Sequence, residues 1–172
     1  ALGRPKKVRF SYSTADQPFV QRAVIQAIEK FGGQRKLKRI YLQHQKSVKA
    51  GENFFDAAIR LLRMRVEFDA AALAATPATG PVLFIANHPY GVLDGITLTW
   101  LATQVRPDTK VLANDVLCQV PEAASNLLPV AFAPTREARE TNVQSRRQAQ
   151  DWLRGGHAIG IFPGGGVSTS EK

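Results

Sequence analysis

The residues of this chain best equipped for chemistry lie together between Pro81 and Gly95, which reads Pro-Val-Leu-Phe-Ile-Ala-Asn-His-Pro-Tyr-Gly-Val-Leu-Asp-Gly. Imidazole is the side chain that accepts and returns a proton near neutral pH, so His88 is a candidate general base. Asp94 is the carboxylate that could orient it. On one continuous helix, six steps of about 100° would put the two on different faces. Pro89 has no backbone donor and disfavours a helical conformation at His88, while Gly91 permits a sharp reversal. The chain can therefore fold back and bring carboxylate to imidazole. A second chemical stretch is Ile161-Phe162-Pro163-Gly164-Gly165-Gly166-Val167-Ser168. Three glycines expose backbone N–H groups, an anion-binding arrangement if they form a nest. They are consecutive rather than spaced, and no Gly-Lys-Ser/Thr follows, so the stretch is a poor nucleotide loop.

Both stretches need elements to place them. Val82 to Ala86 is an uninterrupted apolar run rich in β-formers, the pattern of a central strand buried on both faces. Ile96, Leu98, Trp100 and Leu101 read as a buried helix after Asp94. Strand, polar turn and helix in that order are common at α/β active sites. His157 to Phe162 supplies another strand ahead of the glycines.

Asn-His-Pro, a glycine, Leu-Asp-Gly, and much later Phe-Pro-Gly-Gly-Gly-Val-Ser together resemble the glycerolipid (lysophospholipid) acyltransferase superfamily. The match is to the branch of hemolysin-like and lyso-ornithine-lipid acyltransferases. That resemblance implies an α/β sandwich of acyltransferase type, with His88 as base and Asp94 as its partner. It also implies substrate contacts from Asn87 and from Phe162, Pro163, Gly164, Gly165, Gly166 and Ser168, the loop that meets the acceptor. Arg136 falls where relatives often carry an arginine for the acceptor's phosphate, a role suited to the planar guanidinium. Neighbouring Arg139 would serve as well, and an ion pair of Arg136 with Glu140 is the plain alternative. Two departures stand out. Five residues separate His88 from Asp94 where many superfamily members have four, and Gly164 stands where most relatives have a glutamate. The family's domain normally runs on beyond this second motif, so the resemblance implies a domain incomplete at its C-terminal end.

Length and composition agree with a globular enzyme. The 172 residues suit one domain, and 44% apolar residues is the usual share for a chain with a real core. The single cysteine, Cys118, excludes an internal disulfide and reads as a small buried apolar residue. His44, His88 and His157 fall into no metal spacing, so no metal is expected. No stretch approaches the roughly 18–20 apolar residues of a membrane span.

The net charge of +9 is unevenly placed. Residues 1–50 carry 12 Lys and Arg against 2 acids, while residues 51–172 carry 11 against 12. Such a basic segment suits an anionic membrane surface or an acidic carrier protein. Scattered aromatics and the lack of a recognised motif argue against nucleic acid.

Along the chain, residues 1–13 read as a basic arm. Phe19 to Phe31 repeat at helical spacing until Gly32-Gly33. Arg35 to Lys49 is the densest cationic cluster. A helix follows over Phe54 to Leu62, a strand over Met64 to Phe68, and an Ala-rich turn or helix over Ala70 to Gly80. Further strands are expected at Lys110 to Ala113 and Pro129 to Ala133, with a helical segment from Val116 to Leu128 that could break at Pro121. A long exposed helix covers Arg136 to Arg154. The expected division is a basic helical appendage over residues 1–60 and the acyltransferase α/β domain over residues 61–172.

The resemblance implies an O-acyltransferase that moves a fatty acyl group from acyl-CoA or acyl-carrier protein to a lysolipid hydroxyl. It would act as a peripheral protein on the cytoplasmic face of a membrane. The thioester is already activated, so no cofactor beyond the acyl donor is expected. The rival is a catalytically inactive lipid- or carrier-binding domain.

Overall fold

A computed structural model describes residues 53–164 apart from Val116. The arm, the helix and the cationic cluster expected within residues 1–50 lie outside the described residues, as do Gly165, Gly166 and Ser168.

Asn53 caps the first helix, α1 (Phe54–Leu61), through its side-chain oxygen on the Asp56 N–H at 2.8 Å. Asp69 caps the short α2 (Ala70–Ala74) by accepting from the N–H groups of Ala71 and Ala72. Then come β1 (Val82–Ile85), α3 (Val92–Val105), β2 (Lys110–Asn114) and a 3₁₀ turn at Leu117–Gln119. The described chain continues with α4 (Pro121–Ala124), β3 (Leu127–Val130), α5 (Arg136–Arg154) and β4 (Ala158–Ile161). Thr135 caps α5 by accepting from the Ala138 N–H.

The four strands form one parallel sheet in the order β1-β4-β2-β3. Alternating residues divide the core. Val111 and Leu127 face α1, α3 and α4 with Phe54, Phe55, Ala58, Ile96, Val120 and Ala123. Leu128 and Ile159 face α5 with Ala149, flanked by Leu112, Trp152, Leu153 and Ile161. The result is an α/β sandwich, as the sequence implied. Gly160 lies where β4 is pressed against its neighbours. A Cβ there would sit 2.8 Å from Val111 Cγ2 and 3.4 Å from Leu98 Cδ2.

Several local expectations are corrected. β1 is an edge strand among the described strands, not a central one, with Leu83 46% and Ile85 62% exposed. Helix α5 packs on β3 and β4, so the α5 side of β1 stays bare among the described residues. The paired middle strands are β2 and β4. Met64 to Phe68 forms no strand and pairs with no strand among the described residues. Phe68 instead meets Trp100 edge to face at 6.1 Å.

The helix expected from Val116 to Leu128 is replaced by the 3₁₀ turn and the single turn of α4. Pro121 starts α4 rather than breaking a longer helix, since a first-turn proline has no N–H to lose. β3 begins two residues earlier than expected, and Pro129 sits within it. β3 is an edge strand among the described strands, and an edge tolerates that because its outer N–H groups have no strand to pair with. The strand stops at Val130, where Asn142 of α5 takes over as partner. Its amide accepts from the Ala131 N–H and donates to the Ala131 carbonyl, both at 2.8 Å. Residues 54–60, grouped by sequence with the appendage, contribute Phe54, Phe55, Ala57 and Ala58 to the buried core.

Candidate active site

All four strands run parallel, so the loops that follow them emerge at one end of the sheet. The register aligns Ile85 with Ile161, which sets the segment after β1 beside the segment after β4. His88 lies three residues beyond β1 and Phe162 directly beyond β4. Gly91 has φ +61° and ψ −120°, a conformation open to glycine but strained for any other residue, and it turns the chain into α3. Asp94 falls in the first turn of that helix, where the macrodipole complements a carboxylate.

Asp94 reaches back over the turn. Its Oδ2 accepts the Tyr90 N–H at 2.7 Å and lies 3.2 Å from Nδ1 of His88. Both side chains are largely covered, 21% and 16% exposed. The distance alone would admit a hydrogen bond, but the direction does not. Nδ1 is buried without a hydrogen-bond partner among the described residues, and alignment decides. The contact is therefore a close approach of opposite polarity without a hydrogen bond. On its other side the imidazole stacks on Phe162, with ring centroids 4.2 Å apart and planes at 26°.

The remaining expected site residues divide plainly. Asn87 is exposed next to His88, and Pro163 and Gly164 form an exposed turn after Phe162. Arg136 begins α5 and is 87% exposed. Its Nε donates to Glu140 Oε1 at 2.7 Å, the ion pair that was the plain alternative. A groove on the same helix runs past Arg136, Arg139 and Arg147. α5 leads out of β3, at the far edge of the sheet from β1. Three strand spacings of about 4.8 Å make that separation roughly 14 Å.

A small apolar cavity of about 30 Å³ lies under α3, lined by Phe54, Phe55, Val92, Ile96, Val111 and Leu127 among others. That is room for about two water molecules, not for an acyl chain. Cys118 is half-buried and its thiol is pushed up to about 11, mainly by burial and further by Asp115 nearby. It stays protonated at neutral pH and does not compete as a nucleophile. Among the described residues no group of His, Cys, Asp and Glu is placed to hold a metal ion. None of the described helices is long and apolar enough to cross a membrane.

Sequence reasoning missed a second polar cluster at the opposite end of the sheet. Arg106, at the end of α3 and 2% exposed, donates from Nη1 to the carbonyls of Pro77 and Gly80. Its Nη2 bonds the Gly156 carbonyl and Asp108 Oδ2, and its Nε bonds Asp108 Oδ1. Asp108 Oδ2 also lies 3.0 Å from Nδ1 of His157, which stacks on Trp152. The Trp152 indole N–H donates to the Asp108 carbonyl, and Lys110 Nζ stands 4.1 Å over the Trp152 ring. The Arg106 hydrogen bonds, helped by His157 and opposed by burial, hold the Asp108 carboxyl down at about 2. No spacing in the sequence signals this cluster, since its members come from three separate segments.

The profile of the acyltransferase family, described simply as Acyltransferase, matches residues 67–172, well over half of the chain. The chain belongs to the acyltransferase family. This acyltransferase-family chain is also 26% identical over 157 residues to the lyso-glycine lipid O-acyltransferase of Phocaeicola vulgatus. That alignment covers 89% of this chain and 52% of the relative, so the chain spans about half the relative's length. No solved structure matches it.

Proposed function

We propose that this acyltransferase-family chain carries the catalytic dyad of an O-acyltransferase acting on a lysolipid hydroxyl, with acyl-CoA or acyl-carrier protein as donor. The observation that carries the reading is the approach of Asp94 to His88 at the strand ends, beside the loop that opens the second motif. The relative's own acceptor class, a lyso-glycine lipid, favours a lysolipid here.

In this reading His88 takes the proton of the acceptor hydroxyl as the oxygen attacks the thioester carbonyl. A C–O bond forms, and the carbonyl π pair becomes the oxyanion. Collapse of that intermediate breaks the C–S bond, and His88 returns the proton to the departing thiolate. Asp94 holds the tautomer and stabilises the transient imidazolium, the role a carboxylate plays in serine-protease triads, with substrate hydroxyl in place of enzyme serine. Backbone N–H groups of the glycine stretch would receive the oxyanion. The thioester supplies the driving force, so the reaction needs no ATP or redox cofactor. Such an enzyme would work peripherally at the cytoplasmic face, where its acceptor is held in the bilayer.

The test is release of free thiol from long-chain acyl-CoA and from acyl-carrier protein by the full-length protein, with a mixed lysolipid pool. Acceptor-dependent release that is lost in His88→Ala is the expected result. Equal release by the folded variant would remove His88 from the mechanism.

A further inference from the structure

By resemblance, the Phe162 loop contacts the acceptor. The geometry points to another duty for Phe162 itself. Two features restrain the imidazole of His88, and they are unequal. Toward Asp94 the approach is 3.2 Å but misaligned, and Nδ1 is left without a hydrogen-bond partner among the described residues. Asp94 Oδ2 is meanwhile engaged at 2.7 Å by the Tyr90 N–H. Toward Phe162 the ring is stacked at 4.2 Å. Phe162 is itself anchored, since it packs against the core cluster formed by α1, α3 and the sheet. A ring misaligned with its carboxylate but stacked on an anchored aromatic takes its plane from the stack.

We propose that Phe162 is a positioning residue, which sets the plane of the His88 imidazole and favours its cationic form during proton transfer. This rests on the acyl-transfer reading above. The face of an aromatic ring attracts a cation within about 6 Å of its centroid, and 4.2 Å is well inside that range. Neutral imidazole in the resting site gains only the stack. The imidazolium, formed as the hydroxyl proton is taken, gains the additional attraction. An interaction that strengthens toward the transition state raises kcat, whereas one present equally in the bound ground state does not. Motif order has a physical reason on this account. The residue directly after β4 must be aromatic because it faces the base three residues after β1.

The experiment compares full-length wild type, Phe162→Leu, Phe162→Tyr and Asp94→Asn. One readout is thiol release against acceptor concentration; the other is NMR of the His88 ring protons in the free protein. Phe162→Leu is expected to lower kcat about tenfold with acceptor KM unchanged, and Phe162→Tyr to stay close to wild type. Ring-current displacement of the His88 protons is expected to persist in Asp94→Asn and to vanish in Phe162→Leu. Wild-type kcat in Phe162→Leu, or a change in acceptor KM alone, would overturn the proposal, and the latter would make Phe162 an acceptor contact. Displacement lost in Asp94→Asn instead would give the positioning role to the carboxylate. Should Phe162→Leu fail to fold, Phe162→Met removes the ring at similar volume and is read the same way. If wild type releases no thiol at all, the acyl-transfer reading fails, while the NMR comparison still decides whether Phe162 orients the imidazole.

Discussion

His88 with Asp94 and His157 with Asp108 are two imidazole–carboxylate pairs at opposite ends of one parallel sheet, each imidazole stacked on an aromatic ring. At the end where strands begin, all three side-chain nitrogens of Arg106 are hydrogen-bonded. Asp108 accepts from two nitrogens of Arg106 and lies within bonding distance of His157, and Arg106 ties together the loops before β1 and β4. At the end where strands finish, Asp94 Oδ2 accepts a backbone N–H while Nδ1 of His88 has no hydrogen-bond partner among the described residues. The same two residue types thus serve different ends. The pair beside Arg106 is held between chain segments, and under the proposed function the pair at the other end handles the acceptor's proton. Sequence alone singled out the His88 pair because His88 lies within a recognisable motif.

The comparison can be broken most sharply at the two pairs themselves. His88→Ala should cost about 10²- to 10⁴-fold in rate with an unchanged melting temperature, measured by thiol release and thermal unfolding of one preparation. A large drop in stability would mean that this pair, too, is structural. Arg106→Leu should do the reverse. It leaves the half-buried Asp108 carboxylate and three carbonyls without their donor, so denaturant unfolding should show a loss of about 1–3 kcal/mol, with turnover per folded molecule retained. Unaltered stability would show that the Arg106 contacts contribute no net free energy.

Between the two ends, Gly160 tests the packing that joins them. A Cβ at 2.8 Å from the branched Val111 side chain forces a shift in β2 or β4, and Gly160→Ala should destabilise by about 1–3 kcal/mol in denaturant unfolding. A neutral result would mean the strands have slack.

The smallest effect concerns pH. Asp108 has its carboxyl lowered from 3.8 to about 2 in the folded state, chiefly by hydrogen bonds from Arg106. A carboxyl depressed by folding contributes stability above its unfolded value and loses it as pH falls through the folded one. The contribution should therefore be complete above about pH 4 and fade toward pH 2, amounting to on the order of 1 kcal/mol once solvent screening of this partly exposed group is allowed for. Unfolding curves between pH 5 and pH 2 for wild type and Asp108→Asn, whose stability difference should change by ~1 kcal/mol over that range, would reveal it. Parallel curves would remove Asp108 from the acid response.

The two-pair comparison also marks what sequence could and could not specify. Pro89, Gly91 and the apolar runs around them made the turn between His88 and Asp94 legible, because φ restriction, missing donors and side-chain periodicity are local properties. The same locality made α1, α3, α5, β2 and β4 readable from spacing and caps. Strand position was not readable in this way. An apolar run such as Val82 to Ile85 looks alike in the middle of a sheet and at its edge, since only the number of neighbouring strands and the reach of α5 distinguish the two. Pro129 likewise became a strand residue because β3 has an open side. The stacking of Phe162 on His88 and the Arg106 cluster join residues 74 and up to 50 positions apart. Such contacts depend on strand order and parallel register, which are set by the packing of the whole domain. Composition and motifs determined the family, the sandwich and the pair of residues to suspect. The tertiary structure alone decided that Nδ1 of His88 is buried without a hydrogen-bond partner among the described residues, because that depends on the direction of a ring and not on its place in the chain.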